Sequence, residues 1–412
     1  MANREHHGVA TEGRVTRYAV GAPRMIKLLH TADLQLGMPF HKVAGDRGSK
    51  LREARLESIT RMAALAQREG AELMLIAGDL FDANTVDDRV VVQATTRFRD
   101  AALPVFVIPG NHDHCAGPDS VYRRASFVRT RPDNLVVLDD REPRVVLGGR
   151  AVLLPAPLFR RHEVTDTTAH FTPDLARDLA PNAVRIGLAH GDVVGFKRDD
   201  DGGATNRIDP DRARKADLDY LALGDWHGTK SIALRTWYSG APEPTNFKQN
   251  DQGNALVVTL SERGAPPIVT SHRVARTRWL VHDAVLHGEA DVAHLAAWLG
   301  ALDAPLETVL KLALSGTLPF TVMDRLESLL AQSDGRLLHL EHDAHAVLPQ
   351  ASDEELSSMA SDGFVREAVD TLRAQAAGAS AIAGDEANAQ ARRAALALQV
   401  LYRLRAQLDG AS

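Results

Sequence analysis

Leu73-Met74-Leu75-Ile76-Ala77-Gly78-Asp79-Leu80-Phe81-Asp82 is the stretch that decides the fold. The opening apolar run is too short for a typical helix and apolar on both faces, so it reads as a strand buried on both sides. A glycine then turns the chain, and two carboxylates follow three positions apart. The same grammar recurs along the chain. Ile26-Lys27-Leu28-Leu29 leads through His30 to Asp33 and Gln35, and Val105-Phe106-Val107-Ile108 leads to Gly110-Asn111-His112-Asp113. The run from Val184 to Ala189 ends in His190-Gly191-Asp192, and Tyr220-Leu221-Ala222-Leu223 ends in Gly224-Asp225-Trp226-His227-Gly228. Leu56, Ile59, Ala63 and Ala66 fall at helical spacing between two of these runs, as do Val86, Val90, Ala94 and Phe98. Buried strands alternating with helices predict a layered α/β domain over residues 25–274.

Beyond Ala275 the rhythm changes. Trp279 to His287 alternates as a strand, Val292, Leu295, Leu299 and Leu302 mark a helix, and Val309 to Leu314 a second strand. A helix from Val322 to Leu330 and a strand from Leu337 to Leu340 complete a small separate α/β domain over 275–350. The remainder, 351–412, reads as a helical tail. Ser352 with Glu355 forms a capping box, and Ala394, Ala397, Leu401, Leu404 and Leu408 make one apolar stripe. The Ala/Gly-rich stretch 376–384 between them reads as a flexible connection. Residues 1–24 read as a disordered leader, or as sequence upstream of a true start at Met25.

Of the 412 residues, 44% are hydrophobic and 25% charged, which excludes a disordered or fibrous chain. No apolar run approaches the ~20 residues of a membrane helix, and no signal-peptide pattern is present. With Cys115 as the one cysteine, a disulfide framework and a thiolate zinc site are both excluded. The expectation is a soluble, cytoplasmic protein without membrane association. A net charge of −6 requires any nucleic-acid contact to run through a local patch or bound cations.

In open α/β sheets, sites form beyond the carboxyl ends of the strands. Asp33, Gln35, Asp79, Asn111, His190, Asp225 and His227 would meet there. Oxygen and imidazole donors without thiolate suit Mn, Mg or Fe, with Zn less exclusively favoured. So many donors fit two ions sharing a carboxylate, the arrangement that generates a nucleophile from water and clamps charge on a phosphoryl group. His190-Gly191 could instead be a turn, and Gln35 and Asp225 read equally as ligands or as hydrogen-bond partners of ligands. His30 and His114 read as supporting or surface residues, and Cys115 as an inert, partly buried thiol.

These blocks resemble the calcineurin-like metallophosphoesterase superfamily, with its D-x-H, G-D-x-x-D, G-N-H-D/E, isolated His and G-H-x-H motifs. Leu29-His30-Thr31-Ala32-Asp33, Gly78-Asp79-Leu80-Phe81-Asp82 and Tyr238-Ser239-Gly240-Ala241-Pro242-Glu243 are similar to the SbcD-type DNA exonuclease branch, which includes YhaO-like proteins. The resemblance implies a four-layered α/β/β/α sandwich with a small α/β cap and a helical tail. It implies a first metal held by Asp33, Gln35, Asp79 and His227, and a second completed by Asn111, His190 and Asp225, with Asp79 bridging. Mn is the first expectation for both ions, with Mg or Fe as alternatives. His112 falls where the family places a non-ligand imidazole that serves the leaving oxygen, and the Asp82 carboxylate where one orients that imidazole.

Two positions depart from the pattern: Gln35 replaces the His of D-x-H, and Asp225 the first His of G-H-x-H. Arg123, Arg124, Arg160 and Arg161, with Arg129, Arg131, Lys197 and Arg198, are candidates for phosphate-backbone contact. The resemblance implies DNA exonuclease or endonuclease activity in DNA repair, with an SbcC-like coiled-coil ATPase docked on the tail, and it allows a homodimer. Two alternatives stand beside it: a phosphoesterase for small phosphodiesters or phosphomonoesters, and a catalytically weakened scaffold for such an ATPase.

Overall fold

The computed structural model describes residues 25–43, 45–195, 205–248, 250–352, 355–356, 363–377 and 385–409. The leader, Lys197 and Arg198, and most of the Ala/Gly-rich connection lie outside the described residues. From its first strand the chain runs β1 (Ile26–Thr31), α1 (Gly45–Glu69), β2 (Leu73–Ile76), α2 (Asp88–Asp100), β3 (Val105–Val107), α3 (Ala125–Thr130) and β4 (Leu135–Val137). It continues through β5 (Arg144–Val146), β6 (Ala151–Ala156), β7 (Val184–His190), β8 (Asp192–Val193), β9 (Arg207–Ile208), α4 (Arg212–Lys215) and β10 (Tyr220–Gly224). Then come β11 (Lys230–Ala233), β12 (Thr236–Tyr238), β13 (Asn254–Leu260) and β14 (Ile268–Arg273).

These strands form two six-stranded sheets, ordered β14-β13-β1-β2-β3-β4 and β11-β12-β10-β7-β6-β5. Within them β1 to β4 are mutually parallel, and so are β12, β10, β7 and β6. Side chains alternate across each strand, so one sheet face can meet the other sheet while its back meets helices. Leu28, Leu73, Leu75, Phe106 and Ile108 face Leu153, Ile186, Leu188, Tyr220 and Ala222 in the core between the sheets. Leu29, Met74, Ile76, Val105 and Val107 point the other way, onto Leu56, Ile59 and Met62 of α1 and Ala94 and Phe98 of α2. Behind the second sheet the cover is thinner: Phe171, Leu218 and Ala213 of the four-residue α4 pack on Val152, Leu154 and Leu221. The α/β/β/α order therefore holds, its last layer mostly loop. Val86, expected on the α2 face, is buried ahead of that helix, which starts at Asp88 behind the N-cap Asp87.

A third sheet follows, with β15 (Arg278–Leu286), α5 (Glu289–Gly300), β16 (Thr308–Leu318), α6 (Phe320–Arg336) and β17 (His339–Pro349). Its strands lie parallel in the order β15-β16-β17. Leu310, Leu312 and Leu314 pack against Leu295, Leu299, Leu326 and Leu330 of the two helices. Val309 and Trp279 pack instead with Phe40, Leu51 and Phe247, which ties this unit to the first domain. Glu243 strengthens the tie. Its buried carboxylate pairs with Arg61 of α1 and accepts from Arg276 N at 2.7 Å and Thr277 N at 3.1 Å, just before β15.

Ser352 and Glu355 make the reciprocal capping-box bonds, at 3.1 and 2.9 Å. Of the helix Asp385–Asp409, Ala391, Ala394, Ala395 and Leu398 are buried, whereas Leu396, Val400 and Leu404 are exposed. No helix among the described residues is long and apolar enough to cross a membrane.

Candidate metal centre

The carboxyl ends of β1, β2, β3, β7 and β10 open on one locus, fed by parallel strands from both sheets. Asp33, Asp79 and His190, all buried, place their ligand atoms within 4.8 Å of one another. His190 Nε2 lies 2.7 Å from Asn111 Oδ1, 3.6 Å from Asp79 Oδ2 and 3.9 Å from Asp225 Oδ1. On the other side His227 Nε2 is 4.0 Å from Asp33 Oδ1 and 3.3 Å from the Gln35 amide nitrogen. All seven residues expected as ligands are thus linked through one cluster. His190, Asn111 and Asp225 lie together on one flank and His227 and Gln35 on the other, and the Asp225 amide joins the two through Asp33.

The backbone is bent to produce this convergence. Asp33, Gln35, Asp79 and Asp225 have φ values of 56°, 43°, 52° and 96°, in a region that residues with a Cβ rarely adopt. Strain of this kind persists where surrounding structure over-determines it, and it clusters at functional sites. Here the determinants are visible: Asp33 N donates to Gly78 O at 3.1 Å and Gln35 N to Asp79 O at 2.9 Å. The Asp225 amide reaches both carboxylate oxygens of Asp33 at 3.2 Å. Glycine at 110 is required because a Cβ there would collide with Asp79.

Electrostatics identify what the cluster is built to hold. Burial raises the Asp33 pKa, which His190 lowers and Asp79 and Asp225 raise further. Burial pulls His190 down, yet the three carboxylates outweigh it and hold the imidazole at about 9. A pocket that retains protons this strongly is one in which a divalent cation would replace them. The donors fit such an ion. His190 Nδ1 donates to Ala77 O at 2.9 Å, directing Nε2 into the cluster, as metal-binding histidines are commonly oriented. Gln35 Oε1 is buried and without a hydrogen-bond partner, the state of an oxygen awaiting a ligand.

His112 stands at the edge of this cluster. Its amide donates to Asp79 Oδ1 at 2.9 Å, and its Nδ1 meets Asp82 at 2.7 Å. The acceptor is the main-chain oxygen of Asp82, where the sequence reading gave this contact to the carboxylate. The ring is oriented either way, and Nε2 is left for other work.

Sequence reasoning assigned no role to three residues that shape the site. Asp113 accepts from Gly110 N at 2.7 Å, Phe81 N at 3.1 Å and Tyr122 Oη at 2.5 Å, binding the Asp79 and Asn111 loops together. Thr245 Oγ1 accepts a hydrogen bond from His227 Nδ1 at 2.8 Å. Arg55 sits fully buried beneath the first loop. A charged residue on the apolar face of a helix was the signal available for Arg55.

The arginines separate. Arg124 is engaged structurally, donating to Asn84 O and Val86 O at 3.1 and 2.5 Å and pairing with Asp88, so it is a brace where sequence suggested a phosphate contact. Arg123, Arg160 and Arg161 are exposed. Asn206 holds the main chain of this loop, donating to Arg161 O at 3.0 Å and accepting from Glu163 N at 2.7 Å, and Arg160 N donates to Glu163 Oε1 at 3.2 Å. The charge of Arg161 is felt at Asp82, beside His112.

Residues 26–228 match the family described as calcineurin-like phosphoesterase. Over this segment the chain is similar to the calcineurin-like metallophosphoesterases. The chain is 26% identical over 253 residues to the uncharacterized metallophosphoesterase YhaO of Bacillus subtilis (strain 168), a match covering 56% of this chain and 57% of that protein. Among solved structures it is similar to TT1561 of Thermus thermophilus, with a TM-score of 0.37 and 14% identity over 61% of this chain and all of that one. It is also similar to the purple acid phosphatase PPD1 of yellow lupin (Lupinus luteus) seeds, with a TM-score of 0.40 and 15% identity over 62% of this chain and 52% of that one. Within the matched segment the Asp33–Asp79–His190 group is the candidate metal-binding cluster.

Proposed function

We propose that this protein is a metallophosphoesterase, a two-metal phosphodiesterase acting on DNA, of the SbcD type, with Mn as its preferred ion and an SbcC-like ATPase as partner. The observation that carries the proposal is the two-flanked cluster, with Asp79 central and His112 anchored to it. Asp33, Gln35, Asp79 and His227 would hold one ion, and Asp79, Asn111, His190 and Asp225 the other. Divalent ions bound there supply Lewis acidity and the means to deprotonate water at neutral pH.

The chain's own residues do the rest. Asp79 holds the His112 backbone amide, and the Asp82 carbonyl accepts from its Nδ1, so Nε2 faces outward and, with the ring in its doubly protonated form, can give a proton to the departing oxygen. Arg161, whose main chain is held by Asn206, would offer its exposed guanidinium to a neighbouring phosphate at the rim. A continuous backbone rather than a single phosphate would make use of both Arg160 and Arg161. The third sheet and the final helices extend well beyond what a small ester requires. The exposed stripe Leu396, Val400 and Leu404 is the candidate surface for the ATPase, and a homodimer would compete for the same face.

The test is a parallel Mn-dependent assay on linear duplex DNA, single-stranded DNA and a chromogenic phosphodiester. Cleavage of DNA that Arg161→Ala weakens, with the small diester unaffected, is the expected result. Turnover of the small diester alone would leave a phosphoesterase for small substrates.

A further inference from the structure

Arg55 carries a positive charge in a place where nothing in the reaction as described uses it. It lies on α1, 2% exposed, and burying a guanidinium is costly unless its donors are met. Its donors go to main-chain oxygens: Nε to Leu34 at 3.0 Å, Nη2 to Asp33 at 3.3 Å, and Nη1 to Glu243 at 3.2 Å and Pro244 at 3.4 Å. These four carbonyls belong to two segments with one thing in common. The first carries Asp33 and Gln35, both at positive φ. The second runs directly into Thr245, the acceptor for His227 Nδ1.

Drawing the Asp33 and Leu34 carbonyls down toward the guanidinium leaves the Asp33 carboxylate and the Gln35 amide on the far side, facing His227. The planar fork spans both segments at once, which a point-charge ammonium cannot reproduce. Three of the four residues expected around the first metal therefore depend on one buried side chain. Asn111 and His190, expected around the second, hang on other contacts: the Asp113 carboxylate for the Asn111 loop and Ala77 O for His190, while Asp225 alone of that set is tied back, through its amide, to the Asp33 carboxylate.

We propose that Arg55 is the positioning residue of the first metal position, setting its affinity without touching metal or substrate. The proposal rests on the two-metal reading above. It separates Arg55 from a merely structural arginine, whose loss would lower stability and leave the two affinities alike.

The experiment is titration of Mn²⁺ alone into the full chain, with free Mn²⁺ counted by its electron paramagnetic resonance signal. Wild type, Arg55→Met and Arg55→Lys are compared, with near-ultraviolet circular dichroism reporting the packed core. Wild type is expected to bind two ions. Arg55→Met should keep one at wild-type affinity and weaken the other about 10–100-fold, the usual effect of removing a group that orients ligands. Arg55→Lys should fall between them. Equal retention of both ions in Arg55→Met overturns the proposal. If Arg55→Met loses its packed core, Arg55→Lys decides: selective weakening of one ion supports the proposal, and two ions at wild-type affinity overturn it. A wild type that binds fewer than two ions overturns the two-metal reading itself, and this proposal with it.

Discussion

Gln35 and His227 face each other across 3.3 Å, amide nitrogen to Nε2. Thr245 Oγ1 accepts the His227 Nδ1 proton at 2.8 Å and can itself donate to Gln252 Oε1 at 3.3 Å. His227 Nε2 therefore carries a lone pair. Burial first, and then the Arg55 charge, lower the His227 pKa to about 4 and keep the ring neutral. Gln35 satisfies that lone pair with its amide nitrogen, and its oxygen stays buried without a partner. A half-turn of the amide would turn Oε1 into the space the lone pair faces, so both side chains are prepared to ligate one cation.

This chain of bonds makes Thr245 testable. Thr245→Val removes the acceptor that fixes the His227 tautomer and keeps the side-chain volume. Affinity for one of two Mn ions should fall about 10–100-fold, as for other groups that orient ligands. Unchanged binding of both ions would mean that His227 does not ligate.

His112 should matter for turnover and not for loading. His112→Ala is expected to lower kcat by about 10²–10⁴-fold, the range for a positioned acid–base group, while both metals remain bound. A drop to half the metal content would make His112 a ligand instead.

Gln35 and Asp225 together replace two imidazoles of the family pattern with an amide and a carboxylate. Harder, more oxygen-rich donors favour Mn or Mg over Zn. Gln35→His should tighten the weaker ion, and Asp225→His should move preference toward Zn and the pH optimum downward. Metal titration of the two variants beside wild type checks this. If neither preference, affinity nor pH profile moves, these two side chains are not ligands.

Between the sheets, His30 bonds Tyr220 Oη through Nδ1 at 2.9 Å. Burial lowers its pKa from 6.5 to about 3, against a raising contribution from the Leu223 backbone. The unfolded state then binds one more proton between these values, so acid favours unfolding. This contribution to stability is fully present above pH 6.5 and is lost as pH falls toward 3, by up to about 1.4 kcal/mol per pH unit. Denaturant unfolding from about pH 4 to 7 should show a shallower slope for His30→Asn than for wild type, whatever the variant's absolute stability. Equal slopes would show that His30 is not buried in neutral form.

Much of this was legible because strand burial and ligand chemistry share the same short segments. Leu73 to Asp82 reads as buried strand, glycine turn and carboxylates without any tertiary information, and β15 and β16 with α5 and α6 fell at the spacing their apolar residues announce. In contrast, β17 starts at His339 and runs on to Pro349, well past the expected Leu337–Leu340 run. The second sheet was harder. Strands such as β5 and β12 span three residues each, too few to set a period, and their pairing is decided by distant partners. Arg124 looked like any other exposed arginine because its acceptors are backbone carbonyls, which have no sequence signature. The same holds for the oxygen that orients His112, and for the four carbonyls gathered by Arg55. Where the partner is main chain, residue identity says nothing about the contact.

The central claim is that two ions held by this cluster drive phosphodiester hydrolysis. Its most direct measurement is the rate of cleavage of a chromogenic phosphodiester by protein stripped with chelator, followed as Mn²⁺ is returned and bound metal is counted. Activity should be absent in the stripped protein and should rise with occupancy of the second ion to bind. Full activity in excess chelator after prolonged dialysis, or full activity with a single ion bound, would contradict the account.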